Sequence, residues 1–356
     1  MSGFEAYMTF STEQNPGLRS SAVEIGSGAT SCREGLLRLE APLKLHHGDT
    51  IDSLQVGWRL VGPEGAPLVL LQGGISAHRR VVAAADEQKN SGWWSEVVGT
   101  GLALPAEKYR ILSFDYLGGS GDTSGPRAGR PFPSISTYDQ AQVLLHILDH
   151  LRLEQLNAIV GASYGGMVGL AFAERHPERV AKLIVISAAD RTSPMSTAWR
   201  SVQRRVVRFG IDVGEPAKGL ELARALAMAT YRSAEEFSER FDRAPQERNG
   251  RFIFPVEDYL MARGADYAQR YQPDSFLTLS ESIDLHRIDV DRVPVPVTAI
   301  AVQQDQLVPI ADIRAMCARL PKARLHEISS VFGHDAFLKE SEVLGKIFAS
   351  ELPAAP

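Results

Sequence analysis

Three polar side chains sit at positions where they could break and form an acyl bond. "IVGASYGGMVGLAFAERHP" holds Gly161-Ala162-Ser163-Tyr164-Gly165, a G-x-S-x-G pattern between an apolar run and an alanine-rich helical pattern. A serine on so tight a strand-to-helix turn is held out for attack, and side chains two residues either side of it would collide with neighbouring backbone. The helix N-terminus then lies beside the negative charge that develops during the reaction. "VTAIAVQQDQLVPI" puts Asp305 just past a second apolar run, and "HEISSVFGHDAFL" puts His334 after a glycine beyond a third. Ser, acid and His in that chain order suit nucleophilic catalysis. Ser163 attacks, His334 takes its proton, and Asp305 fixes the imidazole tautomer and stabilises the imidazolium. An oxyanion hole needs two backbone N–H groups. Tyr164, after the nucleophile, supplies one, and Ile75 in "LQGGIS" is the choice for the other.

The elements that would hold these residues alternate in the manner of a mostly parallel sheet under helices. Expected strands are Leu68–Gln72, Arg110–Tyr116, Leu156–Gly161, Lys182–Ser187, Val297–Val302 and Arg324–Ser329. Expected helices are Tyr138–Arg152, Gly165–His176, Ile310–Leu320 and Phe337–Ser350, the second closed by Pro177. Extra leading strands fall between Leu36 and Leu60, with a hairpin near His46-His47-Gly48-Asp49. Residues 191–293 break the alternation with a long, Arg- and Glu-rich helical stretch. It is expected to form a lid over the carboxyl edge of the sheet, where open α/β sheets place ligands. The fold class is therefore α/β, an α/β-hydrolase fold with a helical lid. Residues 36–190 and 294–356 form the core, 191–293 the lid, and the Ser-, Gly- and Thr-containing residues 1–35 a mobile leader.

Composition bounds what such a chain contacts. Its 356 residues are 44% hydrophobic and 23% charged, ordinary for a globular protein, and the net charge of −5 gives no reason to expect nucleic acid as a partner. The leader lacks the pattern of a signal peptide, and no apolar run is long enough to span a membrane, so the expectation is a soluble, cytoplasmic protein without a membrane partner. Cys32 and Cys317 read as ordinary thiols, and the nine histidines are scattered without metal-ligand spacing.

Beyond these residues, several segments resemble the homoserine O-acyltransferase family. "GWWSEVVGTGLALPAEKYRILSFDYLGG", "LGGSGDTSGP", "GLELARALAMATYRS", "FPVEDYLMARGADYAQRYQPDSFLTLSESIDL" and "GHDAFL" follow one another in the family's order, from about Leu36 to the C-terminus. The resemblance implies a ping-pong acyltransferase of methionine biosynthesis. Ser163 would take an acetyl or succinyl group from acyl-CoA, the co-substrate, and pass it to the hydroxyl of L-homoserine, with no permanently bound cofactor and no metal. It implies Arg224, Tyr231 and Asp335 as acceptor-binding residues. Homoserine carries an ammonium and a carboxylate, which suit Asp335 and Arg224 respectively. It also implies a homodimer formed through the lid. The chain departs from the family pattern at "ISAHRR", at Tyr164 and in "FDYLGGSGDTSGP", all around the acyl pocket. His78-Arg79-Arg80 could face a dicarboxylic acyl group, face the phosphates of CoA, or meet no ligand, so the acyl group stays open between acetyl and succinyl. Two rivals share the scaffold: an esterase, or an O-acyltransferase for another hydroxyl acceptor such as serine. A non-catalytic receptor is a third reading, opposed by the intact triad.

Overall fold

The computed structural model describes residues 18–25, 31–82, 92–119, 121–127 and 132–352. Nine strands make the central sheet: β1 (Leu18–Ile25), β2 (Ser31–Leu39), β3 (Leu54–Gly62), β4 (Leu68–Gln72), β5 (Arg110–Phe114), β6 (Ala158–Ala162), β7 (Leu183–Ile186), β8 (Val297–Val302) and β9 (Ala323–Ile328). Their spatial order is β1-β2-β3-β5-β4-β6-β7-β8-β9. The pairs from β1 to β5 are antiparallel, and from β5 onward every neighbour is parallel. Strands β4, β6, β7 and β8 are buried along their whole length, as short runs of Val, Ile, Leu and Ala covered on both faces should be.

Two apolar layers cover the sheet. One face carries α1 (Thr137–His150), α2 (Tyr164–Arg175) and α8 (Ile310–Arg319), which contribute Leu144, Ile147, Val168, Phe172, Ile313 and Met316. The other carries α9 (Ala336–Lys339) and α10 (Ser341–Glu351), with Phe337, Leu344 and Phe348 against Trp94. The Trp94 indole N–H donates to the Phe337 carbonyl at 2.7 Å, which ties this layer to the loop that carries His334.

Five helices and a small hairpin fill the chain between β7 and β8: α3 (Pro194–Asp212), α4 (Pro216–Tyr231), α5 (Ala234–Phe241), α6 (Pro255–Ala268) and α7 (Pro273–Asp284), with strands Gln246–Arg248 and Arg251–Ile253 before α6. Four of the five begin on proline, whose fixed φ and missing N–H cost nothing at a first helical position. Helices α3 and α4 cross at Gly210 and Gly219, so closely that a Cβ on Gly210 would lie 2.7 Å from the Gly219 Cα. The two ends of this insertion meet. Ile288 N–H donates to Asp190 C=O at 3.0 Å, and Arg191 and Arg287 form an antiparallel bridge.

Two sequence expectations change. The leader drawn through residue 35 is corrected over its described part, since β1 and β2 are strands and the core begins before residue 36. Register explains it: β2 runs against β3 from Ser31↔Gly62 to Leu39↔Leu54, which buries Cys32 and Leu37. The rest of that leader, residues 1–17 and 26–30, lies outside the described residues. The helix expected over Phe337–Ser350 is two helices broken at Glu340, whose carboxylate accepts from the Ser330 hydroxyl at 2.6 Å. The hairpin at His46–Asp49 is present, with Leu43–Lys44 paired to Thr50–Ile51 and Gly48 at φ 103°. Among the described residues no helix is long and apolar enough to cross a membrane.

Candidate active site

Each of the three polar residues follows a strand at the carboxyl edge. Ser163 comes directly after β6, with φ 53° and ψ −121°, a backbone conformation that L-residues rarely adopt. The turn is possible because its glycines admit backbone where side chains cannot go. A Cβ at Gly161 would lie 2.3 Å from the Gly165 oxygen. Asp305 follows β8 and His334 follows β9; both are buried.

The three meet in one chain of hydrogen bonds. The Ser163 hydroxyl lies 2.9 Å from His334 Nε2, and His334 Nδ1 lies 2.7 Å from Asp305 Oδ2. The other Asp305 oxygen accepts from the backbone N–H of Leu307 at 2.9 Å and of Val308 at 3.0 Å, which fixes the carboxylate plane. With Nδ1–H donated to Asp305, Nε2 is left as the acceptor for the serine proton. Burial alone would lower the His334 pKa, but the adjacent Asp305 carboxylate outweighs it and holds the imidazole above its ordinary value.

The two backbone donors expected from the sequence are Tyr164 and Ile75. Tyr164 is the first residue of α2, so its N–H has no intrahelical partner. Ile75 lies in the loop after β4, on the wall of the same cavity as Ser163. That cavity, about 190 Å³, is lined among others by Met167, Arg200, Gln203, Arg224, Tyr231, His334 and Asp335, while Asp305 lies behind His334 and Tyr164 is not on its wall.

Arg224 is not a solvated surface charge. Its guanidinium lies 5.0 Å over the Tyr231 ring and 4.6 Å over the Tyr267 ring, and donates to the Tyr231 hydroxyl at 3.3 Å. Asp335 stands at the cap of α9 but makes no capping hydrogen bond with its side chain. It forms an ion pair at 3.1 Å with Arg232, a partner that sequence reasoning missed although it follows Tyr231 directly. Burial raises the Asp335 pKa, opposed by Arg232 and Arg224. Arg200 and Gln203, also missed, reach the cavity from α3.

The basic run near the mouth divides. Arg79 is consumed within the protein: it pairs with Glu34 at 2.7 Å, with Asp122 at 2.6 Å and with Asp115. Three carboxylates around one guanidinium leave it no charge to offer a ligand. Arg80 and His78 line a second cavity of about 550 Å³, which shares Ile75, Trp93 and Arg224 with the first. No group of His, Cys, Asp and Glu side chains suited to a metal ion occurs among the described residues.

Known proteins carry the same architecture. The family model described as alpha/beta hydrolase fold matches residues 66–341. A homoserine O-succinyltransferase of Xanthomonas campestris pv. campestris is 43% identical over 92% of this chain and 85% of its own length. A homoserine O-acetyltransferase of Thermus thermophilus is 34% identical over 74% of this chain and 72% of its own. In three dimensions, a homoserine O-acetyltransferase from Bacillus anthracis superposes with a TM-score of 0.83 at 20% identity, covering 91% of this chain and 99% of that one.

Proposed function

Because the chain belongs to the homoserine O-acyltransferase family of the α/β-hydrolase fold, we propose that it transfers an acyl group from acyl-CoA to the hydroxyl of L-homoserine through an acyl-Ser163 intermediate, in methionine biosynthesis. The observation that carries the acceptor assignment is one of charge. Arg224 and Asp335, a cation and an anion, share the small cavity that holds Ser163. A free amino acid is a zwitterion and needs such a pair, whereas a simple ester needs neither. Arg224 receives the carboxylate, Tyr231 orders that guanidinium, and Asp335 receives the ammonium beside Arg232.

The chemistry runs in two half-reactions. Ser163 Oγ attacks the thioester carbonyl as its proton moves to His334 Nε2, and Asp305 stabilises the imidazolium. The oxyanion rests on the N–H groups of Ile75 and Tyr164. Collapse breaks the C–S bond, and the leaving thiolate takes the proton from His334, so CoA departs as the thiol. The homoserine hydroxyl then attacks the Ser163 ester, giving its proton to His334. Collapse of that adduct breaks the bond between the acyl carbon and Ser163 Oγ, returns the proton from His334 to Oγ and releases O-acyl-homoserine. The helical insertion acts as the lid that keeps water from the acyl-enzyme.

Succinyl is the acyl group this site suits better. Arg200 gives Nε and Nη2 to Asp284 and Thr192, and no hydrogen bond of the described residues uses its Nη1. Gln203 stands on the same wall, and the relative at 43% identity is named a succinyltransferase. Two copies are proposed to pair through α3 and α4, where Val202, Phe209 and Leu222 leave an exposed apolar depression. The test is CoA release followed with a thiol-reactive dye, with succinyl-CoA or acetyl-CoA and with or without L-homoserine. Homoserine-dependent release with succinyl-CoA is expected. Release that ignores homoserine would point to a hydrolase instead, and release dependent on L-serine would point to another acceptor.

A further inference from the structure

The backbone around Ile75 is held by phenols as well as by its own turn, in which the Gly74 carbonyl accepts from Ala77 N–H at 2.8 Å. A Cβ added at Gly74 would meet nothing within 4 Å, so no neighbour presses on that residue. The peptide planes on either side are nevertheless pinned. The Gly73 carbonyl accepts from the Tyr116 hydroxyl at 2.7 Å and from Gly165 N–H at 2.9 Å. The Ile75 carbonyl accepts from the Tyr271 hydroxyl at 2.7 Å, and the Ser76 hydroxyl donates to the Tyr267 hydroxyl at 3.1 Å. Because each peptide is planar, fixing the 73–74 and 75–76 planes leaves little freedom to the plane between them, which carries the Ile75 N–H.

Two of those phenols come from the insertion. Tyr267 lies in α6 and Tyr271 in the turn after it; their rings stack at 4.9 Å with 28° between planes, and both are buried. The Arg224 guanidinium lies 4.6 Å over the Tyr267 ring. Phenylalanine would fill the same volume at either position, so packing alone does not call for the hydroxyls.

We infer that Tyr267 and Tyr271 are positioning residues through which the helical insertion holds the oxyanion donor Ile75 in register with Ser163. The inference rests on the reading of Ser163 as acyl acceptor, but not on which molecule gives or receives the acyl group. An oxyanion hole is used in both half-reactions, so a loosened donor slows both alike and leaves ground-state binding alone.

p-Nitrophenyl acetate tests this without CoA or homoserine, since the nitrophenolate burst reads acylation of Ser163 and the steady state reads its deacylation by water. Tyr271→Phe is expected to slow both phases by the same factor, about tenfold, with KM within twofold and the pH midpoint of kcat unmoved. Tyr267→Phe, which removes the longer bond, should slow both about threefold, and Ser76→Ala should match it. Unchanged rates, a change confined to KM, or slowing of one phase only would overturn the inference. So would a wild-type enzyme that gives no nitrophenolate, because Ser163 would then not be the acyl acceptor. A normal burst without homoserine-dependent CoA release would remove the acceptor assignment and leave the inference standing.

Discussion

Gly165 lies against the carbonyl of Gln72 so closely that a Cβ on Gly165 would fall 2.4 Å from that oxygen. This contact seats the turn that carries Ser163 on the strand end that leads to Ile75, and it spaces the two proposed oxyanion donors. Gly165→Ala is therefore expected to act on both the fold and the rate. Overpacking at a site closed by backbone should lower stability by about 1–3 kcal/mol in chemical denaturation. The remaining folded enzyme should lose about a hundredfold in turnover, because the donors are pushed apart. Wild-type turnover in the variant would show that the spacing is not set there.

Arg224→Ala should separate the half-reactions. Release of CoA in a single turnover without acceptor should change less than about threefold, whereas kcat/KM for homoserine should fall about a hundredfold or more, as expected for loss of a paired guanidinium. Arg224→Lys should recover little of it, since an ammonium cannot reproduce the planar fork between two tyrosine rings. Rapid-quench measurement of both steps decides the matter. An equal loss in both would assign Arg224 to the chemistry of Ser163 rather than to the acceptor.

The pH dependence follows from His334. It must be neutral to accept the serine proton, and the Asp305 carboxylate holds its pKa above the ordinary 6.5 despite burial. Activity should fall with decreasing pH, with a midpoint above 6.5 in kcat/KM for the donor. Asp305→Asn removes the charge that raises the pKa, so the acid limb should move to lower pH while the plateau drops by about 10³–10⁴. A pH–rate profile of the variant with an unmoved limb would assign that limb to another group.

Stability carries a pH signature of opposite origin. His286 is buried with Nδ1 at 2.8 Å from the Thr137 hydroxyl and Nε2 at 3.1 Å from the Ala189 carbonyl, and burial pushes its pKa down from 6.5 to about 4. Between those values the unfolded chain binds a proton that the folded chain refuses. The contribution of His286 is thus fully present above pH 6.5 and is lost progressively as pH falls toward 4, by up to about 3 kcal/mol. His334 titrates with the opposite sign, so the comparison is between variants. His286→Gln should flatten the loss of unfolding free energy between pH 6.5 and 4 relative to wild type, and parallel slopes would exclude it as the source.

Phe209 is 67% exposed on α3, beside Val202 and Leu222. If two copies meet there, Phe209→Glu should convert a dimer to a monomer in sedimentation, with acylation of Ser163 retained. A wild-type monomer at micromolar concentration would end the pairing proposal.

Much of the site was legible because each functional group stands where a buried apolar strand stops. Ser163, Asp305 and His334 follow β6, β8 and β9, and short runs of branched residues mark such strands in the sequence. What escaped notice depends on distant partners. The sequence leaves His78-Arg79-Arg80 open between an acyl carboxylate, CoA phosphates and no ligand, because Arg79 is matched by Glu34, Asp115 and Asp122, which stand 45, 36 and 43 residues away. The two leading strands were hidden for a related reason. Residues such as "SSAVEI" and "SCREGLL" carry no continuous apolar run, and only the register of β2 against β3, and of β1 against β2, makes them strands. Tyr267 and Tyr271 draw no assignment from the sequence, because nothing local says where a phenol points.

The closure of the insertion on itself at Asp190 and Ile288 has a consequence for descent. Arg224, Tyr231, Tyr267 and Tyr271 all arrive on one unbroken stretch of chain that leaves and rejoins the sheet at a single point, while Ser163, Asp305 and His334 belong to the scaffold around it. The insertion thus carries the proposed carboxylate receiver Arg224 together with the phenols that brace Ile75, while the proposed ammonium receiver Asp335 stays beside His334 on the scaffold. One recombination event with its two breakpoints at that junction would exchange the carboxylate half of the recipient site and keep Ser163, His334, Asp305 and Asp335 together.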